Sequence, residues 1–310
     1  MATSNILMIS PAAFGFNAQT AENNFFQKND NTQPSEIQQL ALSEFNAMVE
    51  KLRGKGINVI VIKDTLLPHT PDSVFPNNWI SFHKNGAVVL YPMFAENRRQ
   101  ERREDIINHL QQIDFQYNSI LDLTHYEKEN RFLEGTGSMI FDRENHIAYA
   151  ALSERTDKRL FEKFCEKMNF FPLAFHAFQS ADKKRLPIYH TNVMMCVADV
   201  YAVVCIDAVD AFQEKTSLLD RLTGTGKKII EISEKQMNAF AGNMLQVQND
   251  SGKKFLVMSQ TAYNSLNCAQ ITQLSDFNEI ITVEIPTIEK YGGGSARCMM
   301  AEVFLPKKKN

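Results

Sequence analysis

Short apolar runs of four to twelve residues recur along the whole chain, and polar or turn-forming residues separate them. Many are rich in valine and isoleucine, and two pairs are joined by short polar segments, Asp-Arg-Glu-Asn at 142–145 and Gln-Asn-Asp-Ser-Gly at 248–252. β-Branched runs bounded by turn residues are typical of strands. The pattern therefore predicts strands, with hairpins at those two connections, at 6–10, 57–63, 87–91, 138–141, 147–152, 193–204, 228–232, 244–247, 255–259, 280–285 and 301–305.

Longer stretches with apolar residues at 3.6-residue spacing lie between these strands and predict helices at 35–53, 97–112, 153–169, 211–223 and 259–273. Five such stretches in 310 residues give a unit of about 60 residues, which favours an α/β fold built from a radial repeat of ββαβ units. No Pro/Ser-rich linker interrupts the chain, so we expect a single domain over 1–310. The polar stretch 22–34 is predicted to be a covering loop.

Composition excludes several classes of function. The chain has 33 basic and 36 acidic residues, a net charge of −3 that favours neither nucleic acid nor an anionic membrane. The N-terminus lacks the basic segment of a signal peptide, and no apolar run approaches a membrane span, so we expect a cytoplasmic protein. Five cysteines without a CxxC pair argue against a disulfide framework or zinc site. A homodimer is expected only on general frequency.

Cys298 is the strongest candidate for chemistry, because it follows three consecutive glycines at 292–294. Glycines let a bound molecule approach the backbone closely and weaken a strand that only fills a core. Free cysteines are more often buried filler, which is our interpretation of the other four, Cys165, Cys196, Cys205 and Cys268. The glycine run reverses that interpretation for Cys298.

A thiol needs a proton acceptor to become a nucleophile, and His190 is the candidate because it stands directly before a long apolar run. Glu134, in the turn Leu-Glu-Gly-Thr-Gly, is a candidate to orient the imidazole. Taken alone, His190 could be an ordinary surface or core histidine and Glu134 a turn carboxylate. The three residues support a catalytic site only when they are taken together.

Five segments, in this order, resemble motifs of the guanidine-modifying, or pentein, superfamily: Asp-Ser-Val-Phe-Pro-Asn-Asn-Trp at 72–79, Arg-Phe-Leu-Glu-Gly-Thr-Gly at 131–137, Leu-Ser-Glu-Arg-Thr at 152–156, His-Thr-Asn at 190–192 and Gly-Gly-Gly-Ser-Ala-Arg-Cys at 292–298. The chain looks most similar to bacterial citrulline-utilisation hydrolases. The resemblance implies a five-bladed α/β propeller in which Cys298 attacks an amidine or ureido carbon, His190 is the general acid and base, and Glu134 holds the imidazole. It also implies that no metal or cofactor is needed.

Two positions depart from the deiminase pattern, in which a pair of aspartates holds the cationic guanidinium. The chain has Asn78 and Asn192 there. A carboxylate suits a cation, whereas an amide can both donate to a ureido oxygen and accept from its NH2. We therefore predict a neutral ureido substrate, most simply citrulline. The alternative is that Asn78 belongs to a plain turn after Pro76 and that Asn192 merely begins a strand.

Four more residues are candidates for the amino-acid end of a substrate. Arg155 and Arg98 stand at positions that resemble carboxylate-binding positions of the dimethylarginine enzymes; ordinary ion-paired arginines are the alternative, with Glu101 close to Arg98 in sequence. Asp72 could bind the α-amine, and Phe75 could stack on the ligand.

The leading interpretation is a cofactor-independent hydrolase of a C–N bond in a small ureido or guanidino amino acid. Arginine deiminase, dimethylarginine hydrolase and amidinotransferase remain alternatives with the same thiol chemistry. A non-catalytic binding protein of the pentein fold is a further alternative, disfavoured by the presence of Cys298, His190 and Glu134 together. A flavin or nicotinamide enzyme is disfavoured because no GxGxxG segment precedes a helix.

Overall fold

A computed structural model describes residues 1–181 and 184–308, a mixed α/β structure of short strands and helices. The strands are β1 Asn5–Ser10, β2 Asn58–Lys63, β3 Ile80–Phe82, β4 Ala87–Leu90, β5 Ser119–Asp122, β6 Ile140–Asp142, β7 Ile147–Ala151, β8 Phe171–Phe175, β9 Phe178–Ala181, β10 Lys184–Pro187, β11 Met195–Val197, β12 Tyr201–Val204, β13 Lys228–Glu231, β14 Leu245–Gln248, β15 Lys254–Ser259, β16 Glu279–Val283 and β17 Ala301–Glu302.

The helices are α1 Ala18–Ala21, α2 Pro34–Gly54, α3 Glu104–Gln112, α4 Gly135–Ser138, α5 Lys158–Met168, α6 Phe212–Gly224, α7 Glu234–Met237, α8 Gln260–Ser265, α9 Cys268–Phe277 and α10 Pro286–Gly292. Short 3₁₀ turns stand at Pro76–Asn78, Glu96–Glu101, Thr124–Glu129, Thr191–Val193 and Ile206–Ala208. Within the described ranges, every helix is too short or too polar to cross a lipid bilayer.

Five three-stranded sheets in the described residues share one topology. In each, the first strand is antiparallel to the second and the second is parallel to the third: β17-β1-β2, β3-β4-β5, β6-β7-β8, β11-β12-β13 and β14-β15-β16. A helical connection separates the two parallel strands each time, as parallel pairing requires. The first sheet joins both ends of the chain, since β17 pairs with β1.

The helix α2 shows why the sequence folds in this way. Proline stands at its first turn, where its missing N–H is not needed, and Lys51 and Arg53 stand in its last turn, where they complement the helix dipole. Its buried residues recur at helical spacing and pack under the first and fifth sheets. Phe45 is fully buried, so truncating it to alanine would cost roughly 3–5 kcal/mol.

Most predicted elements are present, with informative differences. The run 193–204 is a hairpin of β11 and β12 rather than one strand, and the predicted helix 97–112 is a 3₁₀ turn followed by α3. The predicted helix 259–273 is split into α8 and α9. Strands β3, β5, β8, β9 and β10 were not predicted, because their segments of three to five residues are short and contain no valine. Cys268, interpreted as buried filler, is exposed, whereas the other cysteines are buried.

Candidate active site

The site is built from turns that occupy equivalent places in the fold. Each of the five sheets has a first strand, and the residues just before it carry the candidate chemistry: Asn78 before β3, Glu134 and α4 before β6, His190 and Asn192 before β11, Asn243 before β14, and Cys298 before β17. Several of these side chains line one narrow cavity with about 270 Å³ of empty space. Residues distant in sequence therefore meet because the topology repeats.

His190 and Glu134 form a buried pair. The imidazole Nε2 lies 2.7 Å from Glu134 Oε2, and both side chains are almost fully buried. Burial lowers the pKa of His190 to about 4, although Glu134 opposes the shift. Burial alone would raise the pKa of Glu134, but the charge of Arg155 and the hydrogen bond from His190 outweigh it and lower that pKa to about 2. At neutral pH the imidazole is therefore neutral, Nε2–H donates to the carboxylate, and Nδ1 keeps its lone pair.

Gly137 makes room for that imidazole. A Cβ at this position would lie 2.8 Å from His190 Nδ1 and 2.3 Å from Asn78 Nδ2, closer than side chains tolerate. The short helix α4 can therefore pass directly behind both side chains only with glycine at this position. This close approach explains the glycine in the Leu-Glu-Gly-Thr-Gly motif.

Cys298 lies in a turn, not in a strand, and its N–H donates to the Ser295 carbonyl at 2.9 Å. The thiol is buried, and two carboxamides point at it: Asn243 Nδ2 at 3.2 Å and Asn192 Nδ2 at 3.4 Å. His190 lines the same cavity as Cys298. The thiol and the imidazole thus face one common space.

Asn78 has a defined orientation because Arg98 fixes it. Arg98 Nη1 donates to Asn78 Oδ1 at 3.0 Å, while its other nitrogens bind the Glu101 carboxylate at 2.8 and 2.9 Å and the Phe75 carbonyl at 3.1 Å. Burial raises the pKa of Glu101 to about 7, a rise that the Arg98 charge limits. Since Oδ1 of Asn78 is occupied, its Nδ2 is left buried without a protein partner beside the cavity. The Asn78 amide is therefore oriented to offer a hydrogen-bond donor to a ligand.

Asp72 and Arg155 hold the loop that covers the cavity. Asp72 Oδ2 accepts from Asn17 Nδ2 at 2.7 Å and from Thr20 Oγ1 at 3.1 Å, and its Oδ1 has no partner. Arg155 donates to the Thr20 carbonyl at 2.8 Å and to Asn23 Oδ1, and it lies 3.6 Å from the Glu134 carboxylate. Burial raises the pKa of Asp72 against the attraction of Arg98. The covering segment is thus closed over the site.

A family model described as N,N dimethylarginine dimethylhydrolase, eukaryotic, matches residues 10–305. The chain belongs to this family. The family is part of the pentein superfamily of guanidino-modifying enzymes, as the motif order predicts. No curated protein sequence is significantly similar to the chain.

Solved structures show the same fold. ArgZ, an arginine dihydrolase of the ornithine–ammonia cycle in cyanobacteria, has a TM-score of 0.74 and 17% identity in its apo form, over 98% of this chain and 41% of that one. Its N-terminal domain bound to substrate has a TM-score of 0.70 and 17% identity, over 97% of this chain and 99% of that domain. A dimethylarginine dimethylaminohydrolase adduct with S-methyl-L-thiocitrulline has a TM-score of 0.64 and 15% identity, over 97% and 100%. The chain spans less than half of full-length ArgZ.

In this member of the dimethylarginine dimethylhydrolase family, all nine predicted site residues lie in or next to one cavity. Seven of them line the cavity: Asp72, Phe75, Asn78, Arg98, Arg155, His190 and Cys298. Glu134 lies behind His190, and Asn192 contacts the sulfur.

Sequence reasoning missed Asn243, which contacts the sulfur, and Tyr189, whose hydroxyl donates to the Gly293 carbonyl at 2.9 Å. The covering loop includes Asn24 of the predicted stretch 22–34, which lines the cavity, but it begins earlier than that stretch. Residues Asn17 and Thr20 hold the loop, and they precede the polar stretch that signalled it. The Ala-Gly-Asn turn before β14 was the available signal for Asn243, because it stands where the other chemical residues stand.

Proposed function

We propose that the protein hydrolyses a C–N bond of a neutral ureido amino acid, with citrulline as the leading substrate. The main support for this proposal is the orientation of Asn78. Its Oδ1 accepts a hydrogen bond from Arg98, and its Nδ2 has no protein partner beside the cavity. A guanidinium offers only hydrogen-bond donors, so this donor would face another donor. A ureido oxygen is an acceptor and matches it.

Asn192 supplies the complementary group. Its Nδ2 points at the Cys298 sulfur, and its Oδ1 is buried without a partner. Asn78 therefore offers an unpaired donor beside the cavity, and the Asn192 amide that contacts the sulfur holds an unpaired acceptor. A ureido group has one oxygen to accept and one NH2 to donate, so it satisfies both, and a buried polar group left unpaired would cost about 1–3 kcal/mol.

In the proposed mechanism, His190 Nδ1 takes the thiol proton and Cys298 attacks the ureido carbon. The C–S bond forms, the bond to the terminal nitrogen breaks, and the proton on His190 leaves with ammonia. His190 then deprotonates water, which attacks the same carbon and breaks the C–S bond. The released N-carboxy amine loses carbon dioxide, so citrulline and one water give ornithine, ammonia and carbon dioxide. A covalent intermediate is recorded for ArgZ.

Recognition of the amino-acid end is assigned to Asp72 and Arg155, with Phe75 packing against the ligand. Asp72 Oδ1 is free to accept from an α-ammonium, and the Arg155 guanidinium borders the same cavity. The Arg98 guanidinium already donates hydrogen bonds to Glu101 and Asn78. We therefore expect it to attract a substrate carboxylate through its positive charge. We further propose that the five sheets are the blades of a propeller around this cavity, within one domain spanning 1–310.

The direct test is ammonia release from purified protein given citrulline, arginine, agmatine or methylated arginines. The proposal expects citrulline to have the highest kcat/KM and ornithine to appear in equal amount to ammonia. Arginine or a methylated arginine turned over much faster than citrulline would contradict the reasoning from Asn78. No turnover of any of them, with the thiol inert to alkylation, would favour a binding protein.

Arginine dihydrolysis is a second candidate, because Asn192 Oδ1 can accept from a guanidinium NH2 and the fold matches that of ArgZ. Such an enzyme would replace one nitrogen at a time and bind a ureido group in its second step. It would release two ammonia molecules for each ornithine from arginine. The ammonia-to-ornithine ratio therefore separates the two candidates.

A further inference from the structure

Asn243 is the residue in closest hydrogen-bonding contact with the candidate nucleophile. Its Nδ2 lies 3.2 Å from Cys298 Sγ, against 3.4 Å for Asn192 Nδ2. Among the described residues, these two carboxamides are the groups that donate to the sulfur. No cationic side chain in the described chain makes a hydrogen bond to it, so ordinary thiolate stabilisation by a lysine or arginine is not in place.

The orientation of the Asn243 amide follows from its other contacts. Its Oδ1 accepts from the Arg297 backbone N–H at 3.1 Å, and its Nδ2 donates to the Asn192 carbonyl at 3.0 Å. A flipped amide would set two donors against each other at Arg297 and two acceptors against each other at Asn192. The second N–H of Nδ2 is therefore directed at the sulfur.

The backbone before Asn243 is built for this approach. A Cβ on Gly242 would lie 2.2 Å from the Val193 carbonyl oxygen and 2.7 Å from the Met194 carbonyl carbon, so the turn before β14 can pack against the turn before β11 only with glycine. The result is a direct bridge in which Asn243 contacts the backbone of one catalytic turn and the sulfur of another.

We propose that Asn243 is a positioning residue for the reaction, whose carboxamide fixes the Cys298 sulfur and donates to it when it is a thiolate. This inference rests on the proposed function, since it assumes that Cys298 reacts as a thiolate. Hydrogen bonds to a charged group are stronger than those to a neutral one, so the 3.2 Å contact from Nδ2 stabilises the thiolate more than the longer, 3.6 Å contact to Asn243 Oδ1 stabilises the protonated thiol. The same amide links the Cys298 sulfur with the Asn192 carbonyl.

The test is the pH dependence of Cys298 alkylation by iodoacetamide, measured by peptide mass spectrometry without substrate. Asn243→Ala removes the donor, and we expect the alkylation midpoint to rise by about one to two pH units, the size of one charge-assisted hydrogen bond. Asn243→Asp keeps the acceptor for Arg297 but places an oxygen against the sulfur, so it should raise the midpoint further. Cys268 is exposed in the same molecule and serves as an internal reference.

The outcomes separate the two proposals. An unchanged Cys298 midpoint in folded Asn243→Ala, with Cys268 also unchanged, overturns the role of Asn243 and leaves the nucleophile intact. If Asn243→Ala loses its cooperative melting transition, Asn243→Asp decides the question by the same readout. Turnover that persists in Cys298→Ser overturns the proposed nucleophile, whatever Asn243 does. A shifted midpoint together with a rise in the pH needed for turnover supports both.

Discussion

Replacing Asn78 by aspartate tests the assignment of substrate charge. Arg98 would still donate to one oxygen of the introduced carboxylate, as it does to Asn78 Oδ1 at 3.0 Å, so the second oxygen should replace Nδ2 beside the cavity. A ureido oxygen would then face an acceptor. It loses a hydrogen bond and stays unpaired, a change of about 2–4 kcal/mol, or roughly 30- to 1,000-fold in kcat/KM for citrulline.

A guanidinium should gain from the same change. Its NH2 would meet a carboxylate instead of an amide donor, and hydrogen bonds to charged groups contribute about 1.5–3 kcal/mol. The ratio of citrulline to arginine kcat/KM should therefore fall by at least about 100-fold. Steady-state ammonia release with both substrates measures that ratio directly.

Two controls isolate the cause. Asn78→Ala removes the donor without adding charge, so it should weaken citrulline turnover by about 10- to 100-fold and give no gain with arginine. Asn77→Asp adds a carboxylate to the neighbouring buried residue, which does not line the cavity, and reports the general cost of a buried charge. A folded Asn78→Asp protein with an unchanged substrate ratio would refute the reasoning.

Three other results are expected. Cys298→Ser should lower turnover by ~10³-fold or more with little change in melting temperature, as circular dichroism and ammonia assays can check; retained turnover would contradict the mechanism. Gly137→Ala should lower turnover by roughly 10- to 100-fold, since its Cβ would lie 2.3 Å from Asn78 Nδ2, while Gly224→Ala, which meets no atom within 4 Å, should not. The pKa of His190 is lowered to about 4 in the folded chain, so between pH 6.5 and 4 only the unfolded chain binds this proton. The free energy of unfolding, measured with urea, should therefore fall by about 2–3 kcal/mol from pH 6.5 to 4.5, a loss that His190→Asn should not show. The same pH dependence of the free energy of unfolding in both proteins would contradict the burial argument.

Long periodic segments and most of the β-branched strands were predictable, whereas breaks within a segment were not. The 21-residue helix α2 follows from its apolar spacing and its proline. The split of 97–112 depends on Arg98 and Glu101, which pair inside the site and hold that segment as a 3₁₀ turn. The sequence places Glu101 near enough to Arg98 to pair with it, but a hydrophobic pattern does not indicate that this pair is buried.

The site residues were predicted from their chemistry and from the resemblance to the pentein motifs, whereas their orientations were not predicted. The sequence indicates that Asn78 and Asn192 border the substrate, yet whether each offers a donor or an acceptor depends on Arg98 and Cys298. Asn243 was missed because the Ala-Gly-Asn turn carries no reactive group that calls attention to it. Its position before a first strand was the usable signal, and that signal depends on recognising the repeat.

The covering loop and the amino-acid end of a substrate would compete for the same groups. Thr20 places its hydroxyl on Asp72 and its carbonyl on Arg155, so it presents to the acid and to the cation the same hydrogen-bond types that an α-ammonium and an α-carboxylate would present. Because these contacts hold the loop closed over a narrow cavity, a substrate that carries both charged groups can replace both contacts as it opens the loop. A ligand that lacks one of them would leave either Asp72 or Arg155 without a replacement for its contact with Thr20. We therefore expect the contacts that hold the loop over the cavity to select for a complete amino acid.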